Sequence, residues 1–95
     1  MSERTVIDEA SLPAFPRGVR LKHDEARAQW VILAPERMFV LDDIGLAIMQ
    51  RVDGERAVSA IVDDLADAFQ APREQILGDV IGMLQGFADK GVLSA

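Results

Sequence analysis

Ninety-five residues, about half of them apolar, suffice for one domain with a small core and not for two. The chain has no cysteine, which excludes a disulfide framework and a thiolate metal site. Ten Lys and Arg stand against sixteen Asp and Glu, a net charge of −6 that opposes phosphate-driven binding to nucleic acid.

Residues 1–15 are expected to form a flexible N-terminal segment or linker, and residues 16–95 the domain. Pro13 and Pro16 flank Ala14-Phe15, and proline enforces extended backbone without a donor for pairing. Residues 1–12 are expected to be loose, with Phe15 marking where order begins. Met1 to Thr5 lacks the apolar stretch of a signal peptide. No run of eighteen apolar residues follows, so no membrane partner is expected and a cytoplasmic location is.

Val19 to His23 alternates apolar and polar residues, the period of a half-buried strand. Asp24 to Arg27 turns the chain. Gln29 to Ala34 is an unbroken apolar run rich in β-branched and aromatic residues, which reads as a strand covered on both faces. Pro35 ends it, and Met38 to Leu41 makes a third, very short strand. A meander is the simplest sheet for segments so close in sequence. The third strand offers an apolar edge, and an open edge is a place where a peptide can add a strand.

Asp42 or Asp43 caps a first helix with Ile44, Ala47, Ile48 and Val52 at helical spacing, stopped by Asp53-Gly54. Ser59 is expected to cap a second helix with the buried stripe Ile61, Val62, Leu65, Ala66 and Phe69. Pro72 suits the first turn of a third, which runs to about Lys90 with Gly91 ending it. Its apolar positions cover an arc of roughly 160°, wider than one core needs. Gly78, Gly82 and Gly86 recur every fourth residue on the side opposite that arc. They either meet a close-packing neighbour or lie on a solvent face. The expected class is α+β: a three-stranded antiparallel sheet followed by a three-helix bundle, similar to a winged helix-turn-helix.

No catalytic constellation emerges. One histidine, His23, and no cysteine make a three-ligand zinc site untenable. Asp42-Asp43 and Asp63-Asp64 are neighbours on helix starts and point apart, so neither pair is a metal clamp or an acid/base dyad. None of the three serines sits in a nucleophile motif, and the glycines are inside a helix rather than in a phosphate loop. The chain therefore reads as a non-enzyme without metal or cofactor. A winged helix suggests a DNA-binding regulator, yet Arg73, Gln75, Gln85 and Lys90 of the third helix are set against Glu74, Asp79 and Asp89. A passive dimerisation or docking domain is the other alternative.

Gly18-Val-Arg-Leu21, Asp24, Trp30 to Glu36, Leu41, Ala47, Asp53-Gly54, Ile61, Leu65, Phe69, Asp79-Val80, Leu84 and Gly91 together resemble the PqqD family of pyrroloquinoline quinone (PQQ) biosynthesis. The resemblance spans about residues 13–94. It implies a peptide chaperone, a recognition element for ribosomally made, modified peptides, which binds the precursor peptide PqqA and presents it to the radical S-adenosylmethionine enzyme PqqE. It also implies that the peptide adds as an antiparallel strand to the third strand and lies against the third helix. Carried onto this chain, the peptide-binding residues are Arg37, Met38, Phe39, Val40 and Leu41 on the strand, and Arg73, Ile76, Leu77, Val80, Ile81 and Leu84 on the helix. An empty edge strand invites self-pairing, so monomer or homodimer is expected.

Overall fold

The computed structural model describes residues 5–95. Three strands come first: β1 (Arg20–Asp24), β2 (Gln29–Ala34) and β3 (Arg37–Val40). Three helices follow: α1 (Asp43–Met49), α2 (Val58–Phe69) and α3 (Arg73–Asp89). The strands form an antiparallel meander in the order β1-β2-β3, so β3 is an edge strand. Leu21, Ile32 and Phe39 stand in register across the sheet. Val31 and Ile32 are adjacent and therefore point to opposite faces: Ile32 joins the core under the helices, whereas Val31 is buried outside that core, on the face where Val40 and Met38 stay exposed, so no helix layer covers the second face of the strand expected to be covered on both.

Each helix end shows where its backbone groups go. The Asp42 carboxylate accepts from the Gly45 N–H at 2.7 Å and caps α1. Gly45 lies where α1 meets α3: a Cβ there would fall 3.1 Å from the Met83 methyl and 3.4 Å from Leu41 Cδ2. α1 ends at Met49, one turn short of the expected Asp53-Gly54 stop. The Asp53 carboxylate accepts from the N–H groups of Glu55 and Arg56, which organises the connection to α2 and lowers the Asp53 pKa.

Ser59 does not cap α2. Ala57 is the N-cap, without a side-chain bond, and Ser59 lies inside the helix. The acceptors come from the N-terminal segment instead. Val58 N–H donates to Ser11 O at 2.9 Å and Ser59 N–H to Glu9 O at 3.0 Å. The Ile7 side chain joins the core, its N–H donates to Gln85 Oε1 at 2.9 Å, and Gln85 Nε2 donates to Thr5 O at 2.7 Å. Ala14 and Ser94 exchange two backbone hydrogen bonds of 2.8 and 2.9 Å. Residues 5–12, expected to be loose, thus carry contacts along their length. The reason is the orphan N–H groups of α2, which no side chain satisfies. Residues 1–4 of that expectation lie outside the described residues.

Pro72 is the N-cap of α3 rather than its first residue. Gly91 ends the helix as expected, at φ +76°. Val92 N–H reaches back to Phe87 O and Gly91 N–H to Ala88 O, the paired bonds of a Schellman closure. The core joins Ile32 and Leu41 to Ile48, Met49, Val58, Ile61, Val62, Leu65, Val80, Leu84 and Val92. Phe69, expected inside, is about half exposed, as is Ile44.

Candidate functional site

The β3 backbone divides its hydrogen-bonding groups by parity. Leu41 N–H donates to Trp30 O at 2.9 Å, and the register pairs Phe39 with Ile32 and Arg37 with Ala34. In an antiparallel ladder the narrow, doubly bonded pairs alternate with open ones. Arg37, Phe39 and Leu41 therefore bond to β2, and Met38 and Val40 turn their N–H and C=O groups to the free edge. Side chains alternate in the same way. Met38 borders an outer-face depression with Lys22, Val31 and Leu33. Phe39 points to the helices and meets Phe87 of α3 edge-on, ring centres 5.7 Å apart. Leu41 is buried.

Two cations gather beside Phe39. Arg37 donates from Nη1 to Lys90 O at 2.9 Å, at the negative end of α3, and its guanidinium lies 5.7 Å from the Phe39 ring centre. Lys90 Nζ lies 5.5 Å from the Phe39 ring and 5.7 Å from that of Phe87. Next to them α3 carries an open depression of about 210 Å³, lined by Gly82, Met83, Gly86, Phe87 and Lys90. A Cβ on Gly82 or Gly86 would meet nothing within 4 Å. Gly82 and Gly86 are thus neither packed against a neighbour nor remote from the strand. They form the open surface beside Phe87 and Lys90, which meet β3.

The helix residues expected to face the strand divide into three groups. Val80 and Leu84 are 0% exposed and support the wall from within the core. At 3.6 residues per turn, Met83, Gly86 and Lys90 fall on one side of the Val80–Leu84 line, with Ile76 next to them. Leu77 and Ile81 fall on the other side together with Gln85, which holds the N-terminal segment. Arg73 also belongs to that far side. Its guanidinium binds Asp63 at 2.6 Å and Glu9 at 2.7 Å, and these two carboxylates raise its pKa. The structure therefore brings Arg37 and Phe39 together with Phe87 and Lys90, and not with Arg73, Leu77 or Ile81. Sequence reasoning missed Gly82, Met83, Gly86, Phe87 and Lys90. The fourfold spacing of Gly82, Gly86 and Lys90 was the available signal.

Among the described residues no group of three or more His, Cys, Asp and Glu is placed to hold a metal. His23 stacks at a tilt on Trp30, ring centres 5.1 Å apart. No helix of the described residues is long and apolar enough to cross a membrane.

Residues 29–93 match the family Coenzyme PQQ synthesis protein D (PqqD). The chain belongs to the PqqD family. A relative from Rhodopseudomonas palustris (strain BisB5), named PqqA binding protein, is 52% identical over 93 residues, covering 98% of this chain and 91% of its own. The solution NMR structure of the PqqD truncation of Methylobacterium extorquens PqqCD is 42% identical with a TM-score of 0.84, and the match covers 99% of this chain and 100% of that one. That domain is described as a functional, stand-alone recognition element for ribosomally synthesised and post-translationally modified peptides. The crystal structure of PqqD from Xanthomonas campestris is 45% identical with a TM-score of 0.61, covering 94% and 99% of the two chains. Both structures are similar to the sheet-then-helices architecture described above.

Proposed function

We propose that this chain binds the precursor peptide PqqA by strand addition to β3 and presents it to the radical S-adenosylmethionine enzyme PqqE, in the cytoplasm and without chemistry of its own. The observation that carries this reading is the open edge of β3, with the N–H and C=O groups of Met38 and Val40 unpaired within the sheet and a depression of α3 close by. The name of the Rhodopseudomonas relative supports the peptide. Backbone pairing supplies affinity that tolerates sequence, and side chains of the added strand that alternate inward supply selectivity. Arg37 and Lys90 favour a carboxylate on the inward side, since both cations flank the same ring. The site on this reading is Arg37 to Leu41 with Gly82, Met83, Gly86, Phe87 and Lys90; Ile76 continues it, and Val80 and Leu84 back it.

Amide shifts of the labelled chain on titration with PqqA test the site. They are expected at residues 37–41 and 82–90. Met38→Pro removes one edge donor and is tolerated at an edge. It is expected to weaken PqqA binding by about ten-fold, equivalent to roughly one hydrogen bond. Unchanged affinity in that variant, with the same melting temperature, rejects strand addition. Co-elution of PqqE with the chain only when PqqA is present supports presentation; PqqE that ignores the complex rejects it.

A further inference from the structure

Four of the large apolar side chains left exposed among the described residues fall into two groups. Met38 and Val40 belong to the open strand. Ile44 and Phe69, 55% and 52% exposed, stand at a second cavity. It measures about 190 Å³ and lies between α1, the end of α2 and the first half of α3. Ile48, Leu65, Ile76 and Val80 provide apolar walls. An engineered cavity of about 150 Å³ accepts benzene, so this one admits a phenyl ring or a branched aliphatic side chain.

Its electrostatics are one-sided. Asp79 lines the cavity and no Lys or Arg does. The Asp79 carboxylate has no hydrogen bond or ion pair with any described residue. The surrounding residues 42–95 hold four Lys and Arg against ten Asp and Glu, whereas residues 16–41 hold five against three. Cations in the chain are therefore concentrated at the sheet, away from this cavity.

Two contacts set the direction of α3 along β3: Arg37, at the start of the strand, bonds Lys90, and Leu41 and Gly45, beyond its end, adjoin Met83. That strand runs from Arg37 to Val40 and leads directly into α1 at Asp43. A strand added antiparallel to it enters from the α1 end and leaves past Arg37. Ile76 and Asp79 are on the same side of α3 as Met83 and Gly86, about one to three turns earlier. Whatever precedes the paired stretch of the guest thus passes the mouth formed by Ile44 and Phe69.

We propose that this cavity is a binding pocket for a large apolar side chain with a lysine or arginine beside it, supplied by the peptide segment that precedes the strand paired to β3. The apolar group fills the space between Ile48, Leu65 and Ile76, and the cation meets Asp79. The inference rests on strand addition for its occupant and not for the pocket itself.

The pocket is tested with phenethylammonium, which carries the ring and the positive charge together, against 3-phenylpropanoate, which carries the ring and a negative charge. Amide shifts of the full chain are expected at Ile44, Leu65, Phe69, Ile76 and Asp79, with the ammonium bound about five-fold tighter, as an exposed ion pair allows. Asp79→Asn is expected to abolish that preference, and Ala71→Met, which fills the cavity, to abolish binding of both ions while the remaining spectrum is unchanged. Equal binding of the two ions, shifts confined to other residues, or no saturation overturns the pocket. Shifts at these residues that appear on concentrating the chain alone assign the cavity to a second copy and overturn the occupant. If PqqA binds at β3 while phenethylammonium does not bind, the pocket falls and strand addition stands. If phenethylammonium binds and PqqA does not pair with β3, strand addition and the occupant fall together.

Discussion

Glu36 occupies a backbone conformation that its side chain opposes. Its φ is +60°, at the second centre of the turn after Pro35, where a type II arrangement calls for glycine. A Cβ in the left-handed region costs about 1–2 kcal/mol, and glycine returns roughly 0.5–1 kcal/mol of that through the entropy of the unfolded chain. Glu36→Gly is therefore expected to stabilise the chain by about 0.5–1 kcal/mol, raising the melting temperature by a few degrees. A thermal melt with equal or lower midpoint refutes the strain. The turn itself was legible from Pro35. The sign of φ at Glu36 was not, because glutamate carries no turn preference of its own. The same limit hid the α2 cap: Ser59 has the right chemistry for one, but the helix starts two residues earlier, where backbone acceptors at Glu9 and Ser11 take the role.

At the scale of elements, β3 and α3 define each other. The strands, the helices and the uncommonly wide apolar arc of α3 could all be read from periodicity. What periodicity lacks is phase: it ranks the faces of a helix without saying which neighbour each one meets. The centre of the arc, Val80 and Leu84, went to the core. One margin, Leu77 and Ile81, went to the side of the N-terminal segment, and the other, with Ile76 and Met83, to the groove. Glycine at 82 and 86 then keeps the groove clear at the expense of the helix. Gly86→Ala is expected to stabilise α3 by about 1 kcal/mol, since its Cβ meets open space. Gly86→Leu should also raise the urea midpoint but weaken PqqA binding by about ten-fold, because the side chain occupies the depression. Equal affinity in the leucine variant places the peptide elsewhere.

For the molecule as a whole, the N-terminal segment is the part that sequence reasoning valued least. Prolines and a lack of periodicity suggested a linker, and no local pattern announces that a backbone carbonyl will serve a helix about fifty residues further along the chain. Removal of residues 1–11 strips the acceptors from Val58 and Ser59 and the apolar contact of Ile7. Burial of one isoleucine contributes about 1.5–3 kcal/mol, and the two caps add roughly another 1–2 kcal/mol. The shortened chain is expected to lose about 3 kcal/mol in urea unfolding, with PqqA affinity of the folded fraction unchanged. A loss of affinity at equal folding would bring that segment into the site.

The bridge between Ala14 and Ser94 and the clasp of Gln85 on Thr5 and Ile7 join residues about eighty apart. Closing a loop of that length is entropically expensive, and no contact within it helps until the hairpins and the α2–α3 pair exist. The strap is therefore expected to close late in folding and to detach early on partial opening. Such fraying begins behind α3, on the flank that carries Leu77 and Ile81. Slow amide exchange in β2 and α3 can then coexist with fast exchange from Thr5 to Ser11, and a molecule breathing at its back still offers an unaltered edge at its front.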